Sequence, residues 1–228
     1  MKPVDGQEAA GASMRTPRHR PERLTREAEQ RGLANLEEAG RFFVGEANVQ
    51  HAARDLAAAF DEVGVPYAIV GALAVNLHGH PRTTADVDVL LTADGLRAFK
   101  KHWIGRGWVD RFPGSKNMRD TRNNVRIDVL ITGQYPGDGK PKPVRFPDPE
   151  DVAIKIGDLK TIGLPKLIEL KLASGMTSPD RPRDFDDVIQ LIRSNGLTRQ
   201  FALYLDPWVR AEYMKRWKHA QRPTGDDV

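Results

Sequence analysis

Cysteine is absent from all 228 residues. That excludes a disulfide scaffold, a zinc–thiolate site and a thiol nucleophile, and it agrees with a reducing, cytoplasmic setting. Long apolar runs are missing too: none approaches the ~20 residues that a bilayer-spanning helix needs. The N-terminal stretch lacks the apolar central region of a signal peptide, so a cytoplasmic protein without a membrane partner is expected. No large excess of one charge exists either, since 35 basic residues face 31 acidic ones for a net +4. That balance is too mild for a dedicated nucleic-acid binder but suits a phosphate-bearing ligand. What is present, 39% hydrophobic and 29% charged residues, is the composition of a folded domain with one good core and a smaller appended lobe.

The pattern along the chain predicts an α+β fold: a small mixed β-sheet core flanked by helices, followed by a C-terminal helical lobe. Residues 1–20, rich in Gly, Pro and charge, are expected to be mobile. The core with its N-terminal helices is assigned to 21–160 and the helical lobe to 161–228. Helices are expected over 21–40, 47–63 (capped by Gly64), 72–77, 94–106, 165–174, 183–194 and 206–220. Strands are expected over 66–71, 87–91, 108–112 and 125–131. The polar run 114–124 reads as a loop. Residues 134–150, with five prolines and two glycines, read as irregular or at most an edge hairpin.

Chemistry concentrates between Gly71 and Leu91. Asp86 and Asp88 are two apart in an apolar run, and side chains two apart on a strand share a face. Two neighbouring carboxylates in such a setting repel each other, and a hard divalent cation removes that penalty. A single acid, Asp128, interrupts a second β-branched run; on an adjacent strand it completes a three-carboxylate cluster. Ahead of this pair, a strand ending at Gly71 turns directly into a helix, which opens backbone N–H groups to phosphate. Arg82 and Thr84 precede the Asp pair and are placed to touch phosphate or to brace the loop, Arg82 equally by pairing with a carboxylate. Each piece alone is common and has a plain structural explanation; their combination is specific.

Gly71 to Gly79, Arg82, Thr84, Asp86, Asp88 and the later Asp128 together resemble the DNA polymerase β-like nucleotidyltransferase superfamily. Within it they look like the branch of AbiEii-type toxin nucleotidyltransferases. Lys171 in a helical Leu-Lys-Leu context, followed by Arg181, Asp184 and Asp187, resembles that branch's downstream pattern, so the likeness spans about 66–192. The resemblance implies that Asp86, Asp88 and Asp128 hold two Mg²⁺ ions against a nucleoside triphosphate. Lys171 would reach the triphosphate, and Asp184 and Asp187 would position the lysine or the acceptor. Gly71 and Ala72 would line the phosphate site. The branch has a small polar residue or a second glycine where this chain has Ala72, which removes one hydroxyl contact and weakens triphosphate binding.

The implied reaction moves a nucleoside monophosphate from the triphosphate to an acceptor hydroxyl and releases pyrophosphate. Asp128 is the expected general base and Lys171 the group that neutralises the leaving pyrophosphate. An RNA end, such as that of a transfer RNA, or a protein side chain is the expected acceptor, with a cognate antitoxin as a further expected partner. Lys100, Lys101, Arg106, Arg119 and Arg122 would tolerate RNA, and Trp103 or Trp108 would either stack on bases or belong to the core. Two competing readings are a nucleotide- or RNA-binding module without turnover, hinted at by Ala72, and an aminoglycoside-modifying nucleotidyltransferase.

Overall fold

The computed structural model of the protein describes Gln30 and residues 44–222. Of the helix expected over 21–40, only Gln30 falls among them, and the segment 1–20 lies outside them. A first helix, α1 (Val44–Glu62), ends at Gly64, whose φ of 64° is the left-handed value that a helix stop favours. Then come β1 (Ala68–Val70), α2 (Gly71–Leu77), β2 (Asp86–Leu91), α3 (Ala93–Trp103), β3 (Trp108–Asp110), β4 (Met118–Asp120) and β5 (Val125–Ile131). They are followed by α4 (Pro149–Val152), β6 (Ala153–Ile156), β7 (Leu159–Ile162), α5 (Leu164–Thr177), α6 (Pro182–Ser194), a 3₁₀ turn (Arg199–Tyr204) and α7 (Pro207–Ala220). The fold is α+β.

The seven strands form one mixed sheet in the order β3-β4-β5-β2-β1-β7-β6. At its centre β2 runs parallel to β5 and antiparallel to β1, while β1 is parallel to β7. Alternation along each strand gives the sheet two faces. On one, Ile69, Val87, Val89, Ile127, Val129 and Met118 pack against α1 and α3. Here Phe60 stacks on Tyr67 with ring centroids 5.1 Å apart, and Phe99 meets Trp108 edge-on at 5.6 Å. Aromatic contacts of this kind add ~1 kcal/mol each beyond the burial itself. Trp108 is fully buried there, and Trp103 donates its indole N–H to the carbonyl of Ala59 at 3.1 Å. Both tryptophans therefore belong to the core and do not stack on a base.

On the opposite face, Ala68, Val70 and Leu90 meet the apolar sides of α2, α5, α6 and α7. The helices start where local chemistry lets them. Thr92 accepts the N–H of Gly95 ahead of α3, Asp206 accepts that of Trp208 ahead of α7, and Pro165 and Pro182 fill first-turn positions that lack a partner for an N–H.

Several elements differ from the sequence expectation. The run read as a loop contains β4, only three residues long. Its Asp120 is buried because Arg122 N–H and Asn123 Nδ2 bond its carboxylate, a local turn device that hydropathy cannot register. The β6–β7 hairpin was not expected; it turns on Gly157 (φ 60°) and Asp158, a two-residue connection that needs glycine in its first position. β7 crosses the boundary drawn at 160/161. The strand from Trp108 stops at Asp110, and the helix expected to reach Arg106 stops at Trp103. Residues 134–148 contain no helix or strand. No described helix is long and apolar enough to cross a membrane.

Candidate active site

The parallel pairing of β2 with β5 decides where the acids lie. Asp86 stands beside Arg126, and Asp88 beside Asp128. Because alternate residues of a strand share a face, Asp86, Asp88, Arg126 and Asp128 form a square on one side of the sheet, opposite the aromatic core. All three carboxylates named from the sequence are thus on one surface. Crowding shows in the titration of Asp88. Burial, then the charges of Asp86 and Asp128, push the Asp88 carboxyl up to about 6, against a pull from Lys171 and Arg181 in the other direction.

The fourth corner was not anticipated. Arg126 pairs with Asp86 and, through Nε at 3.2 Å, with Asp128. A guanidinium thus spans the two outer acids. Among the described residues no group of three His, Cys, Asp or Glu side chains stands close enough to hold a metal ion. The pattern of the sequence did contain the signal: Arg126 sits two before Asp128, hence on its face, and an acid cluster without a bound cation draws in the nearest fixed one.

Gly71 carries the turn between β1 and α2 at φ 64°, a conformation that costs a residue with a Cβ ~1–2 kcal/mol. It is also the point of closest approach to the acids. A Cβ added there would lie 2.7 Å from Cγ and 2.9 Å from Cβ of Asp88, and nearer still to Oδ2. No side chain caps the start of α2, and Gly71 and Ala72 line the same cavity as the carboxylates. Further along this helix, buried Asn76 clamps the following loop. Its Nδ2 donates to the carbonyl of Arg82 (2.8 Å) and its Oδ1 accepts the Arg82 N–H (2.6 Å). Thr84 then donates its hydroxyl to Asp86 Oδ1 at 2.9 Å. Thr84 therefore orients an acid, and the loop it sits on is fixed from behind.

The far wall comes from the C-terminal helices. Lys171 on α5 has its side chain only 8% exposed and is held by two carboxylates of α6, 3.0 Å from Asp184 Oδ1 and 2.6 Å from Asp187 Oδ2. Arg82 also pairs with Asp187, which ties the α2–β2 loop to the helical lobe. Between sheet and helices lies a cavity of about 480 Å³, bounded by Gly71, Ala72, Asp86, Asp88, Asp128, Lys171, Arg181 and Asp184. Leu130, Pro136, Phe146, Leu167 and Leu170 give it an apolar side. Its lining holds three buried polar atoms without any partner: Asp128 Oδ1, Ser174 Oγ and Asp184 Oδ2. Groups of this kind cost ~1–3 kcal/mol each unless water or a ligand meets them.

No protein-family profile matches this chain, and no curated protein does. The donor set is all oxygen, as Mg²⁺ requires, and one lone oxygen of Asp128 together with the raised Asp88 carboxyl are features a divalent cation would relieve. The place between the two outer carboxylates is taken by the Arg126 side chain, 44% exposed to solvent. Every residue singled out from the sequence as a site residue lies in this cavity's lining except Asp187, which stands behind Lys171. Asn76, Asn117, Arg126 and Ser174 were missed. Polar residues that act by orienting a neighbour leave no spacing signature of their own.

Proposed function

We propose that the protein is a metal-dependent nucleotidyltransferase, moving a nucleoside monophosphate from a triphosphate to an acceptor hydroxyl. The observation that carries this reading is the arrangement of Asp86, Asp88 and Asp128 on one sheet face, across a cavity from a buried lysine. The likeness of these motifs to AbiEii-type nucleotidyltransferases supports it, as do the partnerless cavity oxygens. Asp86, Asp88 and Asp128 would hold Mg²⁺, which when bound neutralises phosphate charge and activates the acceptor hydroxyl.

The chain's own groups do the rest. Amides at Gly71 and Ala72 receive phosphate oxygens, and Lys171 and Arg181 supply positive charge to the leaving pyrophosphate. Asp184 and Asp187 hold the lysine extended, while Thr84 holds Asp86 in line. Asp128 Oδ1 accepts the acceptor's proton as its oxygen bonds to the α-phosphorus and the bond to pyrophosphate breaks. The apolar side made by Phe146, Leu167 and Leu170 suits a nucleobase. A cytoplasmic setting, where triphosphate and Mg²⁺ are abundant, accompanies the proposal.

A second reading, a nucleotide-binding module without turnover, is favoured by Arg126, which spans two of the three acids. Incubation with labelled nucleoside triphosphates, Mg²⁺ and total RNA or cell lysate separates the two. Covalent label that disappears in Asp86→Ala supports the transferase. Triphosphate binding without label transfer under any acceptor supports the module.

A further inference from the structure

Asn117 stands just ahead of β4 and lines the cavity beside Asp128. The β4–β5 register, with Met118 opposite Ile127, places it across from Asp128 and on the same face of the sheet. Most of its polar groups are occupied. Its N–H donates to Ser115 Oγ (3.1 Å), its carbonyl accepts the Arg111 N–H (3.1 Å), and its Oδ1 accepts the Val129 N–H at 2.9 Å. The last bond settles which end of the amide is which, since a backbone N–H needs an oxygen. It also holds the side chain against β5. What remains is Nδ2, which donates to nothing among the described residues. On the facing strand, Asp128 Oδ2 meets Arg126 Nε at 3.2 Å, while Oδ1 accepts from nothing. A donor without an acceptor thus stands opposite an acceptor without a donor, and the two do not bond each other.

Side chains directly opposite on antiparallel strands have Cβ atoms ~4.5–5.5 Å apart. One oxygen bonded to both ends at ~2.8 Å spans that gap. The chemistry of the pair selects the oxygen. A phosphate oxygen only accepts and is repelled by the carboxylate, and a metal ion is repelled by the N–H; a hydroxyl accepts from the one and donates to the other. We infer that Asn117 and Asp128 together seat the acceptor's hydroxyl, which makes Asn117 a catalytic residue of the transfer. The inference rests on the transferase reading and adds the residue that aims the nucleophile. A hydroxyl oxygen carries one proton and two lone pairs. Its proton goes to Asp128 Oδ1 and one lone pair holds the Asn117 N–H. The other is left to bond the α-phosphorus as the bond to pyrophosphate breaks.

Two variants separate this role from a structural one. Asn117→Ala removes both the bond to Val129 and the free donor. Asn117→Asp keeps an oxygen for Val129 and turns the donor into an acceptor facing Asp128. A residue that only completes the sheet predicts a defective Asn117→Ala and a normal Asn117→Asp. The hydroxyl seat predicts that both lose label transfer to total RNA or cell lysate about a hundredfold at saturating triphosphate, the scale of one preorganised donor. A folded Asn117→Ala should still bind a non-hydrolysable triphosphate with Mg²⁺ as tightly as the unaltered protein. Transfer at the unaltered rate by Asn117→Asp overturns the assignment, as does triphosphate affinity lost by folded Asn117→Ala. Should the unaltered protein transfer no label, the transferase reading falls, and the seat is judged by a high-resolution crystal structure. One ordered water is expected there within hydrogen-bond reach of both Asn117 Nδ2 and Asp128 Oδ1; a direct amide–carboxylate bond or an empty gap overturns it.

Discussion

Replacing Asp88 by asparagine should stabilise the metal-free protein at neutral and alkaline pH. Burial and the charges of Asp86 and Asp128 raise the Asp88 carboxyl from 3.8 to about 6. The folded state therefore holds the proton better than the unfolded chain does. Its stabilising share is complete below pH ~4 and is lost as pH rises through ~6. A shift of roughly two units corresponds to about 3 kcal/mol, at 1.36 kcal/mol per unit. No hydrogen bond is lost with the carboxylate's second oxygen, and asparagine keeps the shape beneath Gly71. In EDTA at pH 8, thermal unfolding should rise by ~6–12 °C, taking 2–4 °C per kcal/mol for a chain of this size. The gain should vanish near pH 4. Added Mg²⁺ should raise the melting temperature of the unaltered protein and leave that of Asp88→Asn nearly still. A variant less stable than the parent at pH 8 would refute the crowding argument and make Asp88 a structural residue.

Removing the guanidinium in Arg126→Ala should lower the melting temperature in EDTA and tighten Mn²⁺ binding severalfold, measured by electron paramagnetic resonance; an unchanged or weaker affinity would show that Arg126 does not compete for the acids. Gly71→Ala should cost ~2–4 kcal/mol in urea unfolding, combining the left-handed backbone with a clash against Asp88, and should abolish triphosphate binding; wild-type affinity in this variant would sink the close-approach argument. His78 is fully buried with Nε2 2.7 Å from the carbonyl of Ile162, and burial pushes it down to about 4. Its neutral form is what folds, so its share of stability is complete above pH ~6.5 and is lost as pH falls towards 4, by ~3 kcal/mol in all. His78→Asn should flatten that acid limb in pH-dependent urea unfolding, and an unaltered limb would count against it.

The sequence placed the acids because strand alternation is a strict rule: once 87–91, entered from Asp86, and 125–131 read as strands, the sides on which Asp86, Asp88 and Asp128 fall follow. That the two strands are neighbours does not follow from periodicity, and here the family resemblance supplied the expectation. Of the helices beside the site, 165–174 was legible through Pro165, whose backbone restriction acts locally, and 183–194 through its stripe of Phe185, Val188, Ile189 and Ile192. β4, β6 and β7 were not, because strands of three or four residues carry too few alternations to stand out from a polar loop. Burial of Asp120 and His78 also lay beyond the pattern, since each is stabilised by bonds to backbone groups that only the folded chain brings close.

Asp88 and His78 titrate in the same interval with opposite sign, and this has a consequence for how the protein responds to acid. Between pH ~6.5 and ~4, protonation of Asp88 relieves repulsion while protonation of His78 places a charge on a buried ring whose Nδ1 has no partner. The two effects are of similar size, ~3 kcal/mol each by the linkage arithmetic. Their contributions to the unaltered chain's stability profile across that interval nearly cancel, so the steep dependence hidden in each group emerges only when the other is removed. Asp88→Asn should lose stability on acidification, His78→Asn should gain it, and the double variant should return to the shallow slope. Bound Mg²⁺ breaks the balance by holding Asp88 ionised, so the unaltered protein with metal should behave like Asp88→Asn. His78 closes the far end of α2 against the Ile162 carbonyl while Asp88 lies beneath Gly71 at its start, so the two contributions add as those of separate sites.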